Sequence, residues 1–182
     1  MDETVYLIGP RASGKTSVGR ELSQKWSCPF CDADQVLSAA LGTTISQYVQ
    51  QQGWPAFRAK EKETLLAISE KFAGSGLTFV ATGGGVVLDP ENRALLRRTG
   101  FVIYLKVPEE ILVQRLTRHP LASQRPSLTP YSVREEVRAV LDEREALYTG
   151  SAHLVVDGSG TLQDVVEAIS LAVQRESCVR RA

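Results

Sequence analysis

Residues 9–16 read Gly9-Pro10-Arg11-Ala12-Ser13-Gly14-Lys15-Thr16, directly after the apolar run Val5-Tyr6-Leu7-Ile8. The octet has the spacing G-x-x-x-x-G-K-[ST], and its position between an apolar strand and a helical pattern is what makes that spacing informative. A polyphosphate needs a concave row of backbone N–H groups followed by the positive end of a helix. Glycines permit the first because they adopt conformations closed to other residues, and the helix beginning near Lys15 supplies the second. On this reading Lys15 reaches the β and γ phosphates of a nucleotide, and Thr16 offers its hydroxyl to Mg2+.

Outward from the octet, short apolar runs alternate with helical patterns to the end of the chain. Strands are expected at Val5-Ile8, Phe30-Asp32, Leu77-Thr82, Phe101-Val107 and Leu154-Val156, each continuous in hydrophobicity as befits strands covered on both faces. A five-stranded parallel α/β sheet with helices on both faces follows, and no linker or repeat divides residues 1–182 into more than one expected domain. Val18, Leu22 and Trp26 recur at helical spacing, as do Phe57, Leu65, Ile68 and Phe72. Asp89-Pro90 and Ser132-x-x-Glu135 mark helix starts, and Gly100 marks a helix end.

Composition narrows the function classes. With 21 basic against 21 acidic side chains, the balance suggests neither a nucleic-acid surface nor disorder. The acidic start and the short run Val5-Ile8 fit neither a signal peptide nor a membrane span, so a soluble cytoplasmic protein is expected. Cys28, Cys31 and Cys178 are too few for a disulfide framework. Cys28-x-x-Cys31 enters a strand rather than opening a helix, and no second pair completes a zinc site; a structural Cys31 and an incidental Cys28 are expected.

Guanine-reading and motor elements are absent from the sequence, which leaves a compact kinase with ATP on the phosphate loop and a small acceptor opposite. Four features bear on that acceptor. Asp32-x-Asp34 follows the second strand; period-two spacing on extended backbone would put both acids on one side, Asp32 toward the Mg2+ and Asp34 toward an attacking hydroxyl. A pair of acids capping the next helix is the alternative reading. Phe57-Arg58-x-x-Glu61 sets a cation and an acid on one helix face, which by itself is equally a surface ion pair. Thr82-Gly83-Gly84-Gly85 ends the third strand with backbone able to approach a ligand, or with a plain turn. Residues 117–130 carry three prolines and no period, as a mobile lid would, and hold Arg125; Arg144 lies in the helix that starts at Ser132.

Taken in order, "GPRASGKT", "DAD", "FRAKE", "ATGGGVV", "QRPSL" and "EREALY" resemble the shikimate kinase family from about Val5 to Val173. The resemblance implies a three-layer P-loop kinase of the nucleoside-monophosphate-kinase type that moves the γ-phosphoryl group of ATP to the 3-hydroxyl of shikimate. It further implies that Ala12, Ser13, Gly14, Lys15, Thr16 and Ser17 wrap the phosphates and that Thr16 and Asp32 place Mg2+. Asp34 would orient or deprotonate the hydroxyl, Arg58 and Arg144 would clamp the carboxylate, and Glu61 would hold Arg58. Gly84 would contact the acceptor, and Arg125 would arrive with the lid to stabilise transferred charge. The partners expected are shikimate and ATP, with no nucleic acid and no membrane, and the chain is expected to be a monomer with a frayed tail over 175–182. The loop Asp157-Gly-Ser-Gly-Thr-Leu162 lacks a proline that the family often carries, and Arg115 is a candidate to stack on adenine. A gluconate-type kinase and a non-catalytic nucleotide sensor are the competing readings.

Overall fold

The structure, a computed structural model, describes residues 4–118 and 132–179. Five strands, β1 (Thr4–Ile8), β2 (Phe30–Asp32), β3 (Thr78–Ala81), β4 (Gly100–Lys106) and β5 (Leu154–Asp157), form one sheet in the order β2-β3-β1-β4-β5. Every neighbouring pair is parallel. The strands stand where the apolar runs placed them, to within a residue or so at their ends. β1 and β3 are buried throughout and β4 is buried up to Lys106, whereas β2 and β5 are edges and only partly covered.

Among the described residues the α-helices are α1 (Lys15–Trp26), α2 (Ala33–Leu41), α3 (Ile45–Lys71), α4 (Pro90–Thr99), α5 (Glu109–Arg118), α6 (Val133–Ser151) and α7 (Leu162–Val179). Alternation along β1 divides the core in two. Val5 and Leu7 face Val18 and Leu22 of α1 and Ile169 and Val173 of α7. Tyr6 and Ile8 face Leu65 and Ile68 of α3, Leu96 of α4 and Tyr148 of α6. Capping chemistry fixes the helix starts. Asp89 accepts the Glu91 amide with Pro90 in the first turn, and Ser132 and Glu135 make both halves of a capping box.

One feature departs from the sequence reading. Asp34 is not on extended backbone: β2 ends at Asp32, and Asp34 lies in the first turn of α2. Where a frayed tail is expected from Arg175, α7 continues to Val179; residues 180–182 lie outside the described residues. Of the expected lid, Thr117 and Arg118 close α5, while the remainder with Arg125 lies outside the described residues. A further feature has no counterpart in the sequence reading. α3 breaks at Gly53, whose φ of 80° and ψ of 169° no helix contains, and resumes through Trp54 and Pro55. Proline needs no intrahelical acceptor at a helix start, so the break and the restart support each other and carry Arg58 into the first turns of the second half.

Candidate active site

The phosphate loop leaves β1 at Gly9 and enters α1 through Gly14, which caps the helix in the left-handed region at φ 96°. Its own carbonyls hold the lysine. Lys15 Nζ donates to Gly9 O at 2.8 Å, to Pro10 O at 2.7 Å and to Ser13 Oγ at 3.2 Å, and the residue is 9% exposed. A cation is thus fixed across the loop at the positive end of α1, an arrangement suited to anionic oxygens.

Asp32 caps the next helix, as the alternative reading of the aspartate pair has it, and also bonds to the start of α1. Its Oδ1 accepts the amides of Asp34 at 3.0 Å and Gln35 at 3.2 Å, capping α2, while its Oδ2 accepts from Thr16 Oγ1 at 2.8 Å. The Thr16–Asp32 pair therefore joins the start of α1 to the end of β2. Register sets Asp32 opposite Ala81, so Asp34, half-buried one step beyond, stands at the same sheet edge as Gly83 to Gly85. Asp34 is not among the residues lining the cavity described next.

A cavity opens beside the loop. Pro10 and Arg11 of the loop, Trp54 and Arg58 of α3, Gly84 and Gly85, and Glu136 and Arg144 of α6 line it together with the aliphatic residues Leu112, Leu116, Val137 and Val140. Arg58 is built in rather than dangling: it pairs with Glu61, 7% exposed, at 2.5 Å, and its guanidinium lies 5.4 Å from the Trp54 ring and 5.1 Å from the Phe57 ring. Gly85 leaves the space for it, since a Cβ there would collide with the guanidinium. Arg144 is 8% exposed, bonded to Glu143 Oε2 at 2.8 Å and to Gly84 O at 3.4 Å. The structure thus brings Arg58, Gly84 and Arg144 to one cavity next to Lys15's loop.

Trp54 and Tyr148 make contacts at the site that motif reading passed over. Gly53-Trp-Pro55 held a signal for the first, because glycine and proline so close together punctuate a helix. Arg115 donates to Ala12 O at 3.2 Å and to Gly158 O at 3.0 Å, tying the phosphate loop to the loop after β5. Cys28 and Cys31 are free thiols, and burial pushes both up from the ordinary thiol range, which disfavours redox chemistry.

Behind Arg144, Tyr104 donates to Glu145 Oε2 at 2.6 Å, and Lys106 pairs with Glu145 Oε1 at 2.7 Å. Burial, and then Glu145, raise the Tyr104 hydroxyl far above its usual range. For Glu145 burial works upward, but the bonds from Lys106 and Tyr104 outweigh it and hold the carboxyl low. A folded value below the unfolded one contributes stability that is present above the ordinary carboxylate range and lost as pH falls through the folded value. Glu145 is 35% exposed, so its Lys106 pair is screened and the Tyr104 bond carries most of the effect. Glu145→Gln is expected to lower the melting temperature near neutral pH by ~2–4 °C, the equivalent of about 1 kcal/mol. In melts at successively lower pH the gap should close; a gap independent of pH would remove the charge from this account.

The sequence model described as shikimate kinase matches residues 11–174. Shikimate kinase 2 of Enterobacter sp. (strain 638) is 44% identical over 174 residues, covering 96% of this chain and 97% of that one. The shikimate kinase from Acinetobacter baumannii, solved in complex with shikimate, superposes with a TM-score of 0.86 at 30% identity over 96% of this chain and 94% of that one. A gluconokinase from Sinorhizobium meliloti 1021, at 17% identity and a TM-score of 0.60 over 100% of this chain and 98% of that one, shares the fold alone. A phosphate loop, a cavity lined by three arginines, and sequence likeness spanning both lead to one assignment: the chain belongs to the shikimate kinase family.

Proposed function

We infer that this chain transfers the γ-phosphoryl group of ATP to the 3-hydroxyl of shikimate, giving shikimate 3-phosphate and ADP on the route to chorismate and the aromatic amino acids. The observation that carries the reading is the cavity itself, in which Arg58 and Arg144 line the wall beside the loop that holds Lys15. Guanidinium forks match a planar carboxylate, and the aliphatic residues of the same lining suit the carbon face of a ring. Lys15 and the amides of Ala12 to Ser17 bind the ATP phosphates. Asp34 orients the acceptor hydroxyl and takes its proton, Arg58 and Arg144 hold the carboxylate, Glu61 holds Arg58, and Gly84 backs the acceptor. Arg125 is assigned to the ATP phosphates from its sequence position alone.

Thr16 and Asp32 fit Mg2+, since two hard oxygens 2.8 Å apart stand where the start of α1 meets the end of β2. Among the described residues no group of three His, Cys, Asp or Glu could hold a metal. That suits an ion that takes one or two protein ligands and completes its shell with phosphate and water. Bound there, Mg2+ supplies neutralisation of phosphate charge. No helix among the described residues is long and apolar enough to cross a membrane. We place the enzyme in the cytoplasm, and because every assigned group lies on one chain, the reading needs only a monomer.

The test is ADP release measured with shikimate, with gluconate and with neither. Release that requires shikimate is expected; release with gluconate alone, or regardless of acceptor, would defeat the reading. Gly85→Ala probes the same site: the added methyl displaces the Arg58 guanidinium, and such overpacking is expected to raise the shikimate Michaelis constant roughly tenfold with little change for ATP. An unchanged constant for shikimate would show that Arg58 can move aside without loss.

A further inference from the structure

Tyr148 is fully buried on α6, four residues after Arg144, and its hydroxyl donates to Gly84 O at 2.5 Å. Its ring stacks on Tyr104 of β4, with centroids 5.0 Å apart and an interplanar angle of 21°, so the hydroxyl has little freedom to turn elsewhere. The same Gly84 carbonyl accepts from Arg144 Nη1 at 3.4 Å. On its other side Gly84 packs on the phosphate loop: a Cβ there would stand 3.3 Å from the Arg11 amide and 3.5 Å from Gly9 O. One peptide group is therefore gripped by the wall of the acceptor cavity and by the donor loop, and Tyr148 supplies the shorter of its two side-chain bonds. Tyr148 is not among the residues lining the cavity.

We propose that Tyr148 is a positioning residue for the acceptor: its hydroxyl fixes the Gly84 carbonyl, and through that carbonyl the direction of the Arg144 guanidinium. The inference rests on the shikimate reading and extends it to a residue that touches neither substrate. Its physical basis is the cost of leaving a buried carbonyl short of a donor. Without the hydroxyl, Arg144 is drawn deeper onto Gly84 O or the glycine turn shifts, and either change moves the carboxylate clamp. The ATP side keeps Lys15 and its own loop carbonyls, which Tyr148 does not touch.

Steady-state kinetics with both substrates varied, on wild type, Tyr148→Phe and Tyr6→Phe, test this. Tyr148→Phe removes one oxygen and keeps the stacked ring, so the fold is retained. Its Michaelis constant for shikimate should rise roughly five- to tenfold, with turnover and the ATP constant within about twofold of wild type. Tyr6→Phe is the control: it removes an equally buried hydroxyl from the same core, bonded at 3.0 Å to Thr99 Oγ1 and remote from the cavity. It should lower the melting temperature and leave the shikimate constant alone. A purely structural Tyr148 would behave like Tyr6. A wild-type enzyme inert toward shikimate would sink the underlying reading and this inference with it. An active wild type whose Tyr148→Phe variant keeps the shikimate constant, or raises the ATP constant equally, overturns this inference alone.

Discussion

Arg58→Ala is expected to raise the Michaelis constant for shikimate by roughly 10²- to 10³-fold, the consequence of removing one member of a buried, charge-assisted contact. The structure explains why the effect should fall on the acceptor alone. Arg58 belongs to the second half of α3, its guanidinium sits among Trp54, Phe57 and Glu61, and it lines the cavity beside Gly85 and Arg144. The same substitution strips the buried Glu61 of the guanidinium it pairs with, and a loss of stability is expected to accompany the kinetic change. Arg58→Lys separates the two effects. Lysine keeps a charge for Glu61 but has no planar fork to share between Glu61 and a carboxylate, so the shikimate constant should still rise while most of the stability returns. Saturation with shikimate at the wild-type concentration in either variant would remove Arg58 from the clamp.

The framework of this fold is written in local chemistry. Val5-Ile8 and Phe101-Val107 are apolar without interruption because both faces of their strands are covered, and Asp89-Pro90 and Ser132-x-x-Glu135 declare helix starts through bonds made within four residues. The strand order is another matter. β3 separates β2 from β1, a pairing made across the chain that no single apolar run encodes. Asp34 marks the limit of periodicity as a guide. The period-two argument holds only while the strand lasts, and here Asp32 ends the strand by capping the helix that carries Asp34.

The site was legible where a residue type is costly to explain otherwise, and opaque where an ordinary core residue does the positioning. A lone arginine in a sequence carries no role of its own, so Arg58 and Arg144 are picked out only through the family resemblance, and the structure adds that they share one cavity with Gly84 and Gly85. Tyr148 falls on the apolar face of α6 and reads as core, which its ring is; only the three-dimensional position of its hydroxyl reveals the bond to Gly84. Gly84 and Gly85 are indistinguishable in sequence, yet one lies against the phosphate loop and the other against Arg58. Trp54 reaches the cavity because Gly53 breaks α3 just before it.

Lys15→Met is expected to lower turnover by at least ~10³-fold, the largest effect of any substitution considered. Two consequences must be separated. The ammonium satisfies the carbonyls of Gly9 and Pro10 and the hydroxyl of Ser13, so methionine leaves buried acceptors without that donor and should lower the melting temperature by several degrees. That loss cannot account for the rate. A domain stable by about 5–15 kcal/mol that loses one or two remains almost entirely folded at 25 °C, and its turnover per folded molecule is untouched by the loss. What falls is the stabilisation of charge on the transferred phosphoryl group, because the loop amides and the dipole of α1 remain but the ammonium does not. ATP binding, shared among those amides, should weaken much less than turnover, and ATP titration of the folded variant beside its turnover number measures the difference. Turnover within about tenfold of wild type would assign Lys15 to holding the loop together rather than to the transfer.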